Sequence, residues 1–410
     1  MAVAADSGWW RRDAEVIGLV GLAHGTSHFF HLLLPPLFPW LIEAFGLTYT
    51  QAGFLMTVFF VVSGIGQALA GFAVDRFGAR PVLFFGIATL ACSGFAVASA
   101  SGYGGLLAAA AVAGAGNSIF HPADFTLLNR RVSTPRLGHA FSVHSLAGNL
   151  GWAAAPAAMA GLAAVAGWRV AALGAGAVGL AVLLLLVVRR DVLDDRATER
   201  VMAVKASHES VRPRRLGFLG SGAVWLCFLF FFFATAAFGV LQSYAPAVLG
   251  NVYGLPLAVA TVALTAYLLG GAAGTVAGGF IAARDVRSEG VIAAALGVSA
   301  AMALLLASGL AAAPAVALLM AAMGFGVGIA TPSRDLLVRK AALARFGTHA
   351  LGRVYGFVYS GLDVGLAAAP LVFGPLLDRG HFASALFGVA ALQTAALVTA
   401  ALVGRAAKQG

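Results

Sequence analysis

Long apolar runs separated by short polar segments cover almost the whole chain. A helix needs about 20 apolar residues to cross the hydrocarbon core of a bilayer, and most of the runs have that length. The pattern therefore predicts twelve membrane-spanning helices, numbered here as spans 1 to 12. They begin near Glu15, Thr48, Pro81, Tyr103, Gly138, Trp168, Leu216, Pro256, Glu289, Ala312, Gly352 and Phe382.

One long polar stretch divides the spans into two sets of six. It mixes acidic and basic residues, which is typical of an exposed linker. We therefore predict an N-terminal six-helix bundle over residues 1–190, a cytoplasmic linker over 191–215 and a C-terminal six-helix bundle over 216–410. The predicted fold class is an all-α membrane protein made of two bundles.

The two halves repeat one another in sequence. Glycines and a proline of span 4 recur in span 10 at a shift of 210 residues, and a glycine and a proline of span 5 recur in span 11 at a shift of 214. These residues are Gly114, Gly116 and Pro122 with Gly324, Gly326 and Pro332, and Gly151 and Pro156 with Gly365 and Pro370. Repeated halves are typical of transporters whose site lies between them.

Composition and charge support a membrane location. Hydrophobic residues make up 60% of the chain and charged residues 10%, against about 25% charged in soluble domains. With the amino terminus inside, 24 of the 26 Lys and Arg residues fall on one side, since only Arg169 and Arg379 lie on the other. Basic loops stay in the cytoplasm, so we predict a bacterial inner-membrane protein with both termini cytoplasmic.

A short charged turn joins spans 2 and 3. It reads Gly-Phe-Ala-Val-Asp-Arg-Phe-Gly-Ala-Arg over residues 71–80; we expect Gly71 to allow close helix approach and Gly78 a sharp reversal. The stretch resembles the signature loop of the major facilitator superfamily, Gly-x-x-x-Asp-Arg-x-Gly-x-Arg. The resemblance implies that Asp75 is a gate residue facing the start of span 11, with Arg76 and Arg80 completing the gate.

Two further stretches resemble the fosmidomycin-resistance group of that superfamily. They are residues 116–122, Gly-Asn-Ser-Ile-Phe-His-Pro, and residues 148–151, Gly-Asn-Leu-Gly. The chain departs from the group where His28 replaces an acidic residue and where Ala123 replaces a glutamate, with Asp124 one place later. The resemblance implies a proton-linked transporter of a small organic compound, with export as one possible direction.

Three histidines of span 1 share one stripe of the helix. At about 100° per residue, His24, His28 and His31 lie within a narrow arc. Imidazoles facing lipid would be costly, so we expect the stripe to face the bundle interior. Proton relay, hydrogen bonding to a polar solute and metal ligation all remain open. For a metal, His24 and His28 could share one ion, with His121 and His144 as further ligands.

Polar residues of spans 4, 5, 10 and 11 are further candidates for solute or proton binding. Asp124 and Arg334 occupy corresponding positions in the two halves, where they could pair or could reach water separately. Asp363 lies midway along span 11, one turn after Tyr359, and corresponds to Asn149 of span 5. An acidic residue inside the membrane is a functional candidate, although a protonated acid bonded to a neighbouring helix is the alternative.

These features together predict a secondary active transporter that moves a small solute by alternating access, coupled to protons. We expect no enzymatic activity and no cofactor, since nothing resembles a nucleotide-binding loop. The expected partners are a small-molecule or ion substrate, protons and membrane lipid, without nucleic acid and with the chain as a monomer. Two alternatives are a copper, zinc or iron importer that uses the span 1 histidines, and a receptor that binds its ligand without moving it.

Overall fold

The computed structural model describes residues 6–194, 220–282, 288–346 and 351–409. Within those ranges the chain forms helices and no strand. Twelve helical segments are long and apolar enough to cross a membrane. The predicted all-α architecture with twelve spans is therefore confirmed.

The helices follow the predicted order of spans. In the first half they cover Asp6–His31, Phe38–Phe45, Tyr49–Phe77, Ala79–Ser99, Tyr103–Asn117, Phe120–Arg131, Leu137–Ala166 and Trp168–Val188. In the second half they cover Gly222–Tyr253, Leu257–Ala282, Ser288–Ala307, Val316–Phe346, Leu351–Asp378 and Phe382–Gln409. Span 1 begins earlier than predicted because hydropathy marks only the apolar part of a helix. Its polar first turns remain helical, and there Asp13 lies 3.0 Å from the Arg136 guanidinium.

Two spans of the first half consist of two helices each. In span 1 the first helix ends at His31, and a 3₁₀ turn over Pro35–Leu37 leads to the second helix. The consecutive prolines lack the N–H groups that would continue the helix. Span 4 is interrupted between Asn117 and Phe120. This break was not predicted; Pro122 cannot donate the backbone hydrogen bond that would join the two helices.

The chain forms two compact units that do not coincide with its sequence halves. Unit 1 comprises Met1–Leu33, Val62–Ala155 and Ala166–Arg215. Unit 2 comprises Leu34–Val61, Pro156–Val165 and Leu216–Gly410. Unit 2 thus contains the last part of span 1, the first part of span 2 and residues 156–165 of span 5. The division at 190 and 215 stays a prediction, and most of the 191–215 linker lies outside the described ranges.

The sequence repeat is also a repeat of helix contacts. In unit 1, a Cβ placed on Gly116 would lie 2.9 Å from the backbone nitrogen of Leu90 in span 3. In unit 2, a Cβ placed on Gly326 would lie 2.8 Å from the carbonyl oxygen of Ala295 in span 9. Each glycine therefore lets span 4 or span 10 pack directly on the backbone of its neighbour.

The two glycines of the charged turn behave differently. Gly78 has a φ of 87°, which glycine adopts without steric cost, so the predicted reversal is confirmed. A Cβ on Gly71 would have no described atom within 4 Å, so the predicted close approach at Gly71 stays a prediction. Span 2 does make a close contact at Gly66, where a Cβ would lie 2.6 Å from Ser118 of span 4.

Candidate functional site

The histidine stripe of span 1 faces the interior of unit 1, as predicted. The side chains of His24, His28 and His31 are all buried. The ring centroids of His24 and His28 are 4.3 Å apart, and those of His28 and His31 are 4.9 Å apart. The stripe is therefore a continuous stack of imidazoles along one face of the helix.

A buried carboxylate lies at one end of this stripe. Asp124 of span 4 is 0% exposed, and its Oδ2 lies 3.0 Å from His144 Nε2 and 3.1 Å from His24 Nδ1. The first contact is a hydrogen bond; the second is within ion-pair distance but outside hydrogen-bond geometry. The rings of His24 and His144 stack with centroids 3.5 Å apart. Spans 1, 4 and 5 thus converge on one carboxylate oxygen.

The other end of the stripe is locked by hydrogen bonds. His31 Nε2 lies 2.8 Å from Asn117 Oδ1, and Trp152 Nε1 donates to His31 Nδ1 at 3.2 Å. Asn117 in turn donates to Ser63 Oγ at 2.8 Å. Both nitrogens of His31 are therefore engaged: Nε2 donates its proton and Nδ1 accepts. His31 acts as a fixed structural member of the cluster.

His121 occupies a third side of the cluster. Its ring centroid lies 5.5 Å from that of His24, and its Nδ1 lies 3.0 Å from Gln67 Oε1 in span 2. An amide oxygen can only accept, so His121 donates through Nδ1. His121 thereby connects span 2 to the same group of side chains. We call the residues His24, His28, His31, His121, Asp124 and His144 the histidine–aspartate cluster.

The glycines of span 5 make room for this cluster. A Cβ on Gly148 would lie 2.7 Å from two ring atoms of His28 and 3.1 Å from His24 Cδ2. A Cβ on Gly151 would overlap the carbonyl oxygen of Gly25 in span 1. Gly151 therefore lets spans 1 and 5 pack backbone to backbone. The absence of a side chain at Gly148 leaves space for the rings of His28 and His24. Asn149, between the two glycines, is half-buried.

Sequence reasoning missed four residues that hold the cluster. Ser63, Gln67 and Asn117 are polar residues within apolar runs, and Trp152 stacks on His28 with ring centroids 4.2 Å apart. A polar side chain inside a span is itself a signal that it faces protein and not lipid. That signal was present for Gln67 and Asn117, but their partners depend on packing between spans.

The candidate residues of unit 2 form a separate group. The guanidinium carbon of Arg334 lies 4.5 Å from the ring centroid of Phe231 in span 7, and the ring of Tyr359 lies 4.8 Å from the same ring. Asp363 follows one turn after Tyr359 and is partly buried. Asp124 has its partners in unit 1 and Arg334 in unit 2, so the pairing of Asp124 with Arg334 stays a prediction.

The predicted gate is described only in part. Arg80 donates to the carbonyl oxygen of Arg190 at 3.2 Å and lies 3.5 Å from Asp194. It thus connects the turn after span 2 to the segment after span 6. Arg76 is exposed and lies over the Phe77 ring at 5.5 Å. The side chain of Asp75 lies outside the described part of the structure, so its gate role stays a prediction.

The donor atoms of the cluster are close enough for metal coordination. In each of two groups of three residues, the three possible ligand atoms lie within 4.8 Å of one another. The structure therefore brings together His24 and His28, the pair selected from sequence, and adds partners from spans 4 and 5. The groups are His24, His28 and His121, and His24, Asp124 and His144.

Comparisons with known proteins agree with the fold. The family model described as Major Facilitator Superfamily matches residues 20–370. The fosmidomycin resistance protein of Escherichia coli K12 is 28% identical over 295 residues, 70% of each chain. A bacterial homologue of the human lysosomal transporter Spinster, solved in an inward-facing and occupied conformation, superposes with a TM-score of 0.72 at 15% identity, over 96% of this chain and 97% of that one.

Two more distant relatives match shorter stretches. The uncharacterised transporter YfnC of Bacillus subtilis 168 is 27% identical over 141 residues, 34% of each chain. The membrane sensor protein UhpC of Salmonella typhimurium LT2 is 28% identical over 182 residues, 43% of this chain and 40% of its own. None of these names describes a metal importer, so the comparisons give that alternative no support.

Proposed function

Since this chain belongs to the Major Facilitator Superfamily, we propose that it is a proton-coupled secondary transporter that exports a small polar organic compound. The family and fold are those of a membrane transporter and not of an enzyme. Export is supported by the similarity to a resistance protein. The orientation we propose, with both termini in the cytoplasm of a bacterial inner membrane, is supported by the distribution of Lys and Arg.

The histidine–aspartate cluster is the observation that carries the proposal. A buried carboxylate and five imidazoles inside membrane-spanning helices are costly unless they serve a function. They occupy the interior of unit 1 and come from spans 1, 4 and 5, which are drawn together by glycine contacts. The cluster supplies hydrogen-bond donors and acceptors to a polar solute, and it is the proposed solute-binding region of unit 1.

Asp363 is the proposed proton carrier of unit 2. It is the acidic residue midway along span 11, and among the residues whose side chains are described it has no hydrogen-bond partner. An acidic residue inside a membrane span is costly unless it serves a function, and a carboxyl group can bind and release a proton. Tyr359, one turn earlier, lies on a nearby part of the same helix.

Alternating access is the proposed mode of transport. It is supported by the sequence repeat between the two halves, which is typical of transporters whose site lies between them, and by the match to the Major Facilitator Superfamily.

Proton flux in proteoliposomes tests the proposal. Purified protein is reconstituted with a pH-sensitive dye in the lumen, and small organic acids, amines and phosphonates are added across an imposed pH gradient. We expect at least one solute class to dissipate the gradient. Asp363→Asn should abolish solute-driven proton flux, and Asp191→Asn, which alters a carboxylate that is 94% exposed, should leave it unchanged.

Two results would contradict this function. If Asp363→Asn gives the same proton flux as the unmodified protein, Asp363 takes no part in proton coupling. Saturable ligand binding with no movement of ligand or protons would favour a receptor, the class suggested by the name of the sensor relative.

A further inference from the structure

We propose that the histidine–aspartate cluster binds one divalent transition-metal ion, with His24, Asp124 and His144 as ligands. His24 also forms a second donor group with His28 and His121. The ion would lie in the cluster that we propose for the solute, so this inference concerns the same region as the proposed function. Calorimetry measures ion binding without transport and proteoliposomes measure transport without added metal, so the two can fail separately.

Distances between the donor atoms fit coordination of a single ion. Zinc binds imidazole nitrogen and carboxylate oxygen at about 2.0–2.1 Å in a tetrahedron, so its donor atoms are about 3.3 Å apart. Asp124 Oδ2 lies 3.0 Å from His144 Nε2 and 3.1 Å from His24 Nδ1. Both distances are within a few tenths of an ångström of that separation, and all three donor atoms lie within 4.8 Å of one another.

Unsatisfied polar atoms point to a missing cationic partner. Asp124 Oδ1, His24 Nδ1 and His28 Nδ1 are buried and have no hydrogen-bond partner among the described residues. A buried carboxylate oxygen without a partner is costly in a low-dielectric interior. One divalent ion would neutralise the carboxylate and engage imidazole nitrogens at the same time.

The surrounding hydrogen bonds also match those of a metal site. A histidine that binds metal through one nitrogen usually donates the other N–H to an oxygen. His121 has this arrangement, because its Nδ1 donates to Gln67 Oε1 and its Nε2 remains for coordination. His31 does not, because Asn117 and Trp152 engage both of its nitrogens.

The donor set selects the class of metal. Imidazole and carboxylate donors suit zinc, nickel, cobalt and iron in the divalent state, whereas copper(I) prefers thiolate and thioether ligands. The two donor groups contain only imidazole and carboxylate. We therefore assign the site to a borderline divalent ion, with zinc as the reference ion.

Calorimetry and cobalt spectroscopy on the full chain test the assignment. Tag-free protein in detergent is titrated with Zn²⁺ and with Ni²⁺, and with Co²⁺ while the visible absorption is recorded. We expect one ion per chain. Asp124→Asn should weaken binding at least ~10–100-fold, because loss of a group that only supports a metal ligand already has an effect of that size.

Two variants separate ligation from structural damage. His144→Cys should retain binding and add a near-ultraviolet sulfur-to-cobalt band, which appears only if residue 144 touches the ion. His139→Gln, at an exposed histidine outside the cluster, should leave the affinity within a few-fold of the unmodified protein.

The assignment is overturned by any of three results. The first is no saturable binding tighter than micromolar by folded protein. The second is equal affinity in Asp124→Asn and the unmodified protein. The third is loss of binding in the double variant His139→Gln, His381→Gln, which alters two exposed histidines outside the cluster.

Discussion

The carboxylate of Asp378, the last residue of the span 11 helix, accepts a hydrogen bond of 2.6 Å from the backbone N–H of Tyr49, the first residue of the span 2 helix. The same side chain accepts a second bond from the N–H of Thr50 at 3.1 Å and a third from its hydroxyl group. Asp378 therefore caps a helix to which it is not adjacent in sequence, and it joins spans 2 and 11 within unit 2.

Removing this cap should destabilise unit 2. Asp378→Ala deletes all three hydrogen bonds to the start of span 2, and loss of a helix cap costs about 0.5–2 kcal/mol. We expect the apparent Tm in detergent to fall by about 2 °C. Asp378→Asn, which retains one of the two accepting oxygens, should have a smaller effect than the Ala variant. An Ala variant with unchanged Tm would show that the cap contributes nothing to stability.

Filling the space at Gly148 should disrupt the histidine–aspartate cluster. The Cβ of Gly148→Ala would stand 2.7 Å from the His28 ring, and overpacking of this kind costs about 1–3 kcal/mol. We expect solute-driven proton flux to fall at least ten-fold in proteoliposomes. Gly161→Ala is the matched control in the same span, because its Cβ meets no described atom within 4 Å. Equal flux in both variants would contradict the role of Gly148.

The indole N–H of Trp152 should contribute to stability through His31. Trp152→Phe retains a ring against His28 but removes the hydrogen bond that Trp152 Nε1 donates to His31 Nδ1. Loss of one hydrogen bond costs about 0.5–1.5 kcal/mol, so thermal unfolding should shift to lower temperature. Trp10→Phe, at a residue that is 59% exposed, should shift it less. A smaller effect at Trp152 than at Trp10 would rule out this role.

Two arginines should restrain the segment after span 6. Arg80 donates to the carbonyl of Arg190, and Arg131 donates to that of Val192 through two nitrogens at 3.1 and 3.2 Å. In the variant Arg80→Gln, Arg131→Gln we expect faster amide hydrogen exchange over residues 189–194, measured by mass spectrometry. Arg76→Gln, which alters an exposed side chain of the same turn, should not change it. Unchanged exchange in the double variant would show that the segment is held by other contacts.

The sequence was sufficient to predict those features that depend on one helix at a time. The number of spans follows from apolar length, and the burial of His24, His28 and His31 follows from helical geometry and the cost of imidazoles in lipid. The break at Pro35–Pro36 follows from the missing N–H groups. Each of these can be derived without knowing which helices are neighbours.

Features that depend on packing between spans were not predictable from one sequence. The convergence of His24, Asp124 and His144 joins residues up to 120 positions apart, and it required the backbone contact at Gly151. The same limit applies at Gly71, because a glycine near a turn does not reveal whether a second helix lies against it. Gln67 and Trp152 were missed since their partners lie on other spans.

Span 1 changes its compact unit at the place where its helix is interrupted. The boundary between Leu33 and Leu34 falls between the end of the first helix at His31 and the turn at Pro35–Leu37. Spans 2 and 5 also cross from one unit to the other, but their helices continue through the boundary. Span 1 therefore has an interruption in its helical hydrogen bonding at this boundary, whereas spans 2 and 5 do not. Replacing Pro35 and Pro36 by alanine would restore two backbone N–H donors there and should extend the first helix of span 1 through the boundary.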